Sequence, residues 1–203
     1  MNKQLLVDVR PFDVSTTKIN ESISENNGKL IVKGVLQRAE YKNQNGRVYP
    51  REVLLKEVGK YLKNQVTERR ALGELDHPES AVVNLNNASH NIIEMPWDGD
   101  DLLGTVEVLS TPAGNILKEL FKSGIKLGIS SRGLGSVEPI KEDEQSEGEE
   151  DTVEVQPDFE LIAFDFVSNP STQGAFMRPV NESVKPKSPE NNIERIINSI
   201  MRG

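Results

Sequence analysis

The chain has 203 residues, no cysteine and a formal net charge of −8 at pH 7, with 24 Lys and Arg against 32 Asp and Glu. That length suits one good-sized domain, or a domain with an appended tail. The missing cysteines exclude a disulfide scaffold and any thiolate metal site, and an acidic balance with no basic stripe argues against a nucleic-acid-binding role.

Only 35% of the residues are hydrophobic and 5% aromatic, so a core is expected but some segments should lie outside it. Residues 1–28 are polar after Leu5-Leu6-Val7 and read as an N-terminal arm. The start, Met1-Asn2-Lys3-Gln4, lacks the apolar region of a signal peptide. No apolar run approaches the roughly 18 residues of a membrane span. A soluble intracellular protein is expected.

Leu30, Val32, Val35 and Leu36 mark the first strand, within Lys29 to Tyr41, and Asn43-Gln44-Asn45-Gly46 is a tight-turn signal. Pro50 suits a helix start, and the spacing of Val53, Leu54, Val58, Tyr61, Leu62 and Val66 predicts a helix over 51–66. Ile92 to Met95 is short and apolar, while Leu102 to Leu109 reads as a strand with Val106 and Val108 on one face. Thr111-Pro112 predicts an N-cap followed by a first-turn proline. Ile116, Leu117, Leu120 and Phe121 should form that helix's buried face, and Gly124 its stop. Ile125 to Val137 returns to an extended pattern. The acidic run 141–151 reads as a solvated loop, and Phe159 to Val167 is the most apolar strand. Residues 181–189 read as linker, followed by an amphipathic stretch carrying Ile193, Ile196, Ile197, Ile200 and Met201.

The strands outnumber the helices and do not alternate with them as βαβ units do. The expected class is therefore α+β, with a mostly antiparallel sheet closed into a barrel and the helices packed around it. Residues 29–180 are expected to form the domain, flanked by the arm 1–28 and the tail 181–203.

Without cysteine, nucleophilic chemistry near neutral pH falls to a Ser paired with a His, and there are two histidines. In the run 128–135, Gly-Ile-Ser-Ser-Arg-Gly-Leu-Gly, strand alternation puts Ile129 and Ser131 with Leu127 on the core face. Ser130 and Arg132 then share the other, open face. The bland reading is an ordinary Ser-Ser-Arg-Gly turn.

His77 lies in Gly73-Glu74-Leu75-Asp76-His77-Pro78, where neighbouring carboxylates can orient an imidazole. His90 competes with it, or simply sits on the polar face of a strand. Asp165 interrupts an apolar strand, so its carboxylate needs a donor: a histidine, an arginine or backbone amides. Glu74, Asp76, His77 and Glu79 are rich in oxygen ligands, but histidine spacing argues against a zinc hydrolase. No metal or cofactor is expected. The glycines at 128–135 fail as a phosphate loop, since no Gly-Lys-Ser/Thr follows.

Together with Asn45-Gly46-Arg47-Val48-Tyr49-Pro50 and Phe164-Asp165-Phe166-Val167-Ser168-Asn169-Pro170-Ser171, the 73–78 and 128–135 motifs resemble, in order, the prohead core proteases of large tailed phages. That resemblance implies a fold like the herpesvirus assemblin proteases and a serine endopeptidase that cuts scaffold and capsid proteins after Glu in a Leu/Ile-x-Glu context. It implies Ser130 as nucleophile, His77 as general base and Asp165 as the residue orienting the histidine, with Glu74 and Asp76 as alternatives for that last role. Ser131, Arg132 and Gly133 become candidates for oxyanion support. The resemblance also implies a homo-oligomer with scaffold and major capsid proteins as substrates, working inside the immature prohead in the host cytoplasm. No nucleic acid or membrane partner is expected. Ile23-Ser24-Glu25 and Leu55-Lys56-Glu57 are self-cleavage strings, the second shielded by its helix. A non-catalytic scaffold protein on the same fold is the alternative. A generic esterase would need the Gly-x-Ser-x-Gly elbow, which is missing.

Overall fold

The computed structural model describes residues 3–11, 16–125, 127–140, 152–168 and 178–179. In chain order these form β1 (Gln4–Pro11), α1 (Thr16–Glu25), β2 (Leu30–Arg38), β3 (Arg47–Val48), α2 (Arg51–Tyr61), β4 (Leu72–Glu74), β5 (Ala88–Glu94), β6 (Trp97–Asp98) and β7 (Asp101–Val108). They continue with α3 (Pro112–Lys122), β8 (Gly128–Gly135), β9 (Val137–Pro139), β10 (Val153–Val155), β11 (Glu160–Val167) and β12 (Arg178–Pro179). The acidic run 141–151, the linker 181–189 and the amphipathic stretch lie outside the described residues.

Most expected elements form for the expected reasons. Thr111 Oγ1 accepts the Gly114 N–H at 3.0 Å, capping α3 behind Pro112. Gly124, at φ 74°, ends it in the left-handed conformation that a Cβ disfavours. The buried face of α3 is Ala113, Gly114, Leu117 and Phe121, whereas Ile116 is exposed. Gly114 packs so closely on the Leu109 carbonyl that this stripe, one helical step round from Ile116, turns inward. The 51–66 helix is α-helical to Tyr61 and closes with a π-helical turn, Leu62–Val66.

The strands pair in three sheets rather than in the expected closed barrel. One runs β12-β2-β7-β5-β4 with β6 beside β7, a second runs β1-β8-β11, and a small third runs β3-β10-β9. Among the described strands all pairings are antiparallel except β3 with β10, and the isolated Leu75–Phe166 bridge is also parallel. Bulges at Leu36 in β2 and at Ser89 and Ile93 in β5 shift the register and bend these strands locally.

The segment expected as an arm supplies β1, which lies along β8, and α1, whose Ile19 enters the core. The polar composition of residues 10–28 hid both, although Leu5, Val7 and Val9 alternate with Asp8 and Arg10. The main core joins Leu30, Val32, Ile92, Val106, Leu117 and Phe121 to Ile129, Phe164 and Phe166. It thereby glues the first two sheets together. Their seam is β4 against β11: Leu75 bridges Phe166, and the Asp76 N–H donates to the Phe166 carbonyl at 2.8 Å.

Candidate active site

At this seam Ser130 of β8 lies directly opposite Asp165 of β11, so the two share a face, while Ser131 lies opposite Phe164 on the other. The alternation expected for β8 therefore holds. The Ser130 face is not open, however: Ser130, Arg132 and Asp165 are all fully buried. The segment after β4 packs over them. Ser131 also faces inward, accepting a long 3.4 Å bond from Gln37 Nε2.

Asp76 takes the left-handed region at φ 69°, which a short polar side chain tolerates, and its Oδ1 accepts the His77 N–H at 2.9 Å. This bend returns His77 toward the sheet. Its Nδ1 lies 3.1 Å from Asp165 Oδ2, with the imidazole about one-fifth exposed. A carboxylate only accepts, so Nδ1 carries a proton, and in the neutral ring Nε2 then carries the lone pair. Nε2 makes no hydrogen bond among the described residues. Ser130 Oγ donates weakly to the Ser131 carbonyl, 3.4 Å away, rather than to His77. Nucleophile–base bonds of this kind commonly tighten only when substrate binds.

Burial opposes ionisation of Asp165, but hydrogen bonds from His77 and from the Glu74 N–H, with the Arg132 guanidinium, hold it below the usual carboxylate range. It is a carboxylate at neutral pH. Among the three candidates for orienting His77, Asp165 makes the ring contact. Glu74 Oε1 instead accepts from Arg132 Nη2 at 2.9 Å and from the Asn84 N–H at 3.0 Å, while Asp76 binds the His77 backbone.

Arg132 spends its donors on Asp165, Glu74 and the Ser80 carbonyl. Ser131 and Gly133 lie in the middle strand of their sheet, paired with β1 on one side and β11 on the other. His90 does not sit on a polar strand face. It is fully buried, donating from Nε2 to the Phe164 carbonyl at 2.9 Å and accepting at Nδ1 from Ser89 Oγ at 2.8 Å. Burial lowers its pKa to about 4, so it stays neutral.

Among the described residues no group of three or more His, Cys, Asp or Glu is placed to hold a metal. No described helix is long and apolar enough to cross a membrane. A cleft of about 640 Å³, bordered by Lys33, Val35, Glu94, Pro96 and Leu103, lies apart from the buried cluster and takes in none of its residues.

Residues 7–185, a span that includes the whole cluster, match the family described as prohead core protein serine protease. The chain belongs to this family. It is 36% identical over 153 residues to the prohead core protein protease of Enterobacteria phage T4, an alignment covering 74% of this chain and 68% of that one. The solved structure of the bacteriophage T4 capsid assembly protease, gp21, superposes with a TM-score of 0.67 at 27% identity, covering 84% of this chain and all of the other. The chain is thus a peptidase of the prohead family, with that protease's mixed α+β fold. The buried Arg132–Glu74 pair is the feature that sequence reasoning missed. Strand alternation placed Arg132 on a face that read as open, so its burial became visible only in the packed fold.

Proposed function

We propose that this family member is a serine endopeptidase of phage capsid maturation, with Ser130 as nucleophile, His77 as general base and Asp165 orienting the histidine. One observation carries the reading: Asp165, which holds His77 Nδ1 and leaves Nε2 without a partner among the described residues, lies directly opposite Ser130 across the β8–β11 pair.

On substrate binding, the Ser130 Oγ–H proton passes to Nε2 as Oγ bonds to the peptide carbonyl carbon. The C–N bond then breaks, and the departing amine takes the proton from His77. Water repeats the sequence on the acyl ester and frees Ser130. Asp165 remains ionised throughout and stabilises the imidazolium.

The substrates are scaffold and capsid proteins inside the immature prohead, cut after Glu in Leu/Ile-x-Glu strings, by an enzyme that works as a homo-oligomer. Self-cleavage at Glu25 requires the end of α1 to unwind, because Ile19 and Ser22 anchor that helix in the core. Glu57 is buried within α2 and is protected in the folded chain.

The test incubates wild type and Ser130→Ala with a scaffold protein carrying Leu/Ile-x-Glu sites and reads products by intact mass. Cleavage after Glu by wild type alone is expected. Equal cutting by both would move the nucleophile to another residue, and no cutting by either folded protein would favour a non-catalytic scaffold role.

A further inference from the structure

Two fully buried charges in the cluster, Arg132 and Glu74, have no part in the proton transfers above. Burying ions is expensive unless each finds well-placed partners, and the partners of Arg132 and of Glu74 Oε1 all belong to the site, while Glu74 Oε2 is buried with none among the described residues. Arg132 Nε donates to Asp165 Oδ2 at 2.8 Å, and Nη2 donates to Asp165 Oδ1 at 3.1 Å and to Glu74 Oε1 at 2.9 Å. Nη1 donates to the Ser80 carbonyl at 2.5 Å. Asp165 Oδ2 is therefore shared by His77 and Arg132. The segment after β4 is held at both ends of the pair, with Ser80 on the guanidinium and the Asn84 N–H on Glu74 Oε1. His77 sits on that segment.

The charges close as well. Glu74, Asp165 and Arg132 sum to one negative charge, which a proton on His77 neutralises. An arginine alone beside Asp165 would cancel the charge that stabilises the imidazolium. Glu74 restores it. We propose that Arg132 and Glu74 are positioning residues: Arg132 clamps Asp165 and the His77 segment in one geometry, and Glu74 balances its charge so that the imidazolium is still favoured. This assigns Arg132 away from the oxyanion. It rests on the Ser130–His77–Asp165 reading.

The charged groups around His77 are Asp165 from β11, Arg132 from β8, Glu74 from β4, and Asp76 and exposed Glu79 on its own segment. Of the groups that feel Asp165 from α2 and β5, Tyr61 is neutral near pH 7 with burial raising its pKa further, and His90 is held neutral by burial.

The test follows the imidazole signals by NMR across pH in Ser130→Ala protein, which needs no turnover. With two histidines in the chain, His90 serves as an internal reporter of folding. Arg132→Gln is expected to raise the His77 midpoint by about one pH unit and Glu74→Gln to lower it by a similar amount. Arg132→Lys should keep the midpoint near that of the parent, because it keeps the charge. In the active chain, Arg132→Lys should still lower kcat about tenfold, because an ammonium cannot reproduce the fork.

No movement, or movement of both glutamine variants in one direction with the His90 signal in place, would overturn the proposal. If Arg132→Gln does not fold, Glu74→Gln and Arg132→Lys decide it: an unlowered midpoint in the first, or undiminished kcat in the second, overturns it. Failure of the catalytic reading would show separately, as cleavage that survives Ser130→Ala while the titration shifts stand.

Discussion

His90 should make the fold acid-sensitive at a pH where the carboxylates are still ionised. The folded protein holds it neutral with a pKa of about 4, chiefly through burial, against an ordinary value of 6.5. The unfolded chain therefore takes up a proton that the folded chain refuses as the pH falls through 6.5. Stability is full above that value and is lost progressively down to about pH 4. Between pH 7 and pH 5 the loss from this one group is about 2 kcal/mol, a large part of a typical domain's margin. Urea unfolding of wild type and His90→Gln at both pH values measures it. Glutamine can still donate to the Phe164 carbonyl but does not titrate, and every other group is common to both proteins. Wild type should lose about 2 kcal/mol more than the variant over this interval. Equal losses would refute the reasoning, showing that His90 is protonated in the fold or reached by water.

Asp165→Asn should lower kcat/KM by about 10³-fold or more with little change in KM, because an amide no longer enforces the Nδ1–H tautomer; peptide-cleavage kinetics check this. The same substitution should flatten the loss of stability below about pH 4, since a carboxylate held below its ordinary pKa stabilises the fold above that range and loses this as pH falls through its folded value. Gly73→Ala should destabilise by about 3 kcal/mol or fail to fold, as its Cβ would lie 1.9 Å from the Phe164 carbonyl oxygen and 2.3 Å from His90 Nε2. Thermal unfolding reads that effect. Thr111→Ala should cost about 1 kcal/mol through loss of the α3 cap, with activity unchanged.

Local chemistry was legible in the residues themselves. The cap at Thr111, the stop at Gly124, the helix after Pro50 and the alternation separating Ser130 from Ser131 are all set by neighbours a few positions apart. So was the short set of candidates, because a cysteine-free chain with two histidines offers few nucleophile–base pairs. The π-helical end of the 51–66 helix, the bulges and the seating of a polar N-terminal segment along β8 were not legible. The bulges and that seating depend on partners distant in the chain.

The same distinction divides the site. The sequence determined that Asp165, set in an apolar strand, must find partners, because unpaired buried charge is prohibitive, whereas Arg132 read as lying on an open face. The sequence did not determine which partners. Only the β4–β11 seam, closed by Gly73's lack of a side chain, brings residues 74, 77, 132 and 165 into one network and sends the second histidine to a carbonyl instead. Hydrogen-bond need is local to a residue, whereas its satisfaction belongs to the packed fold.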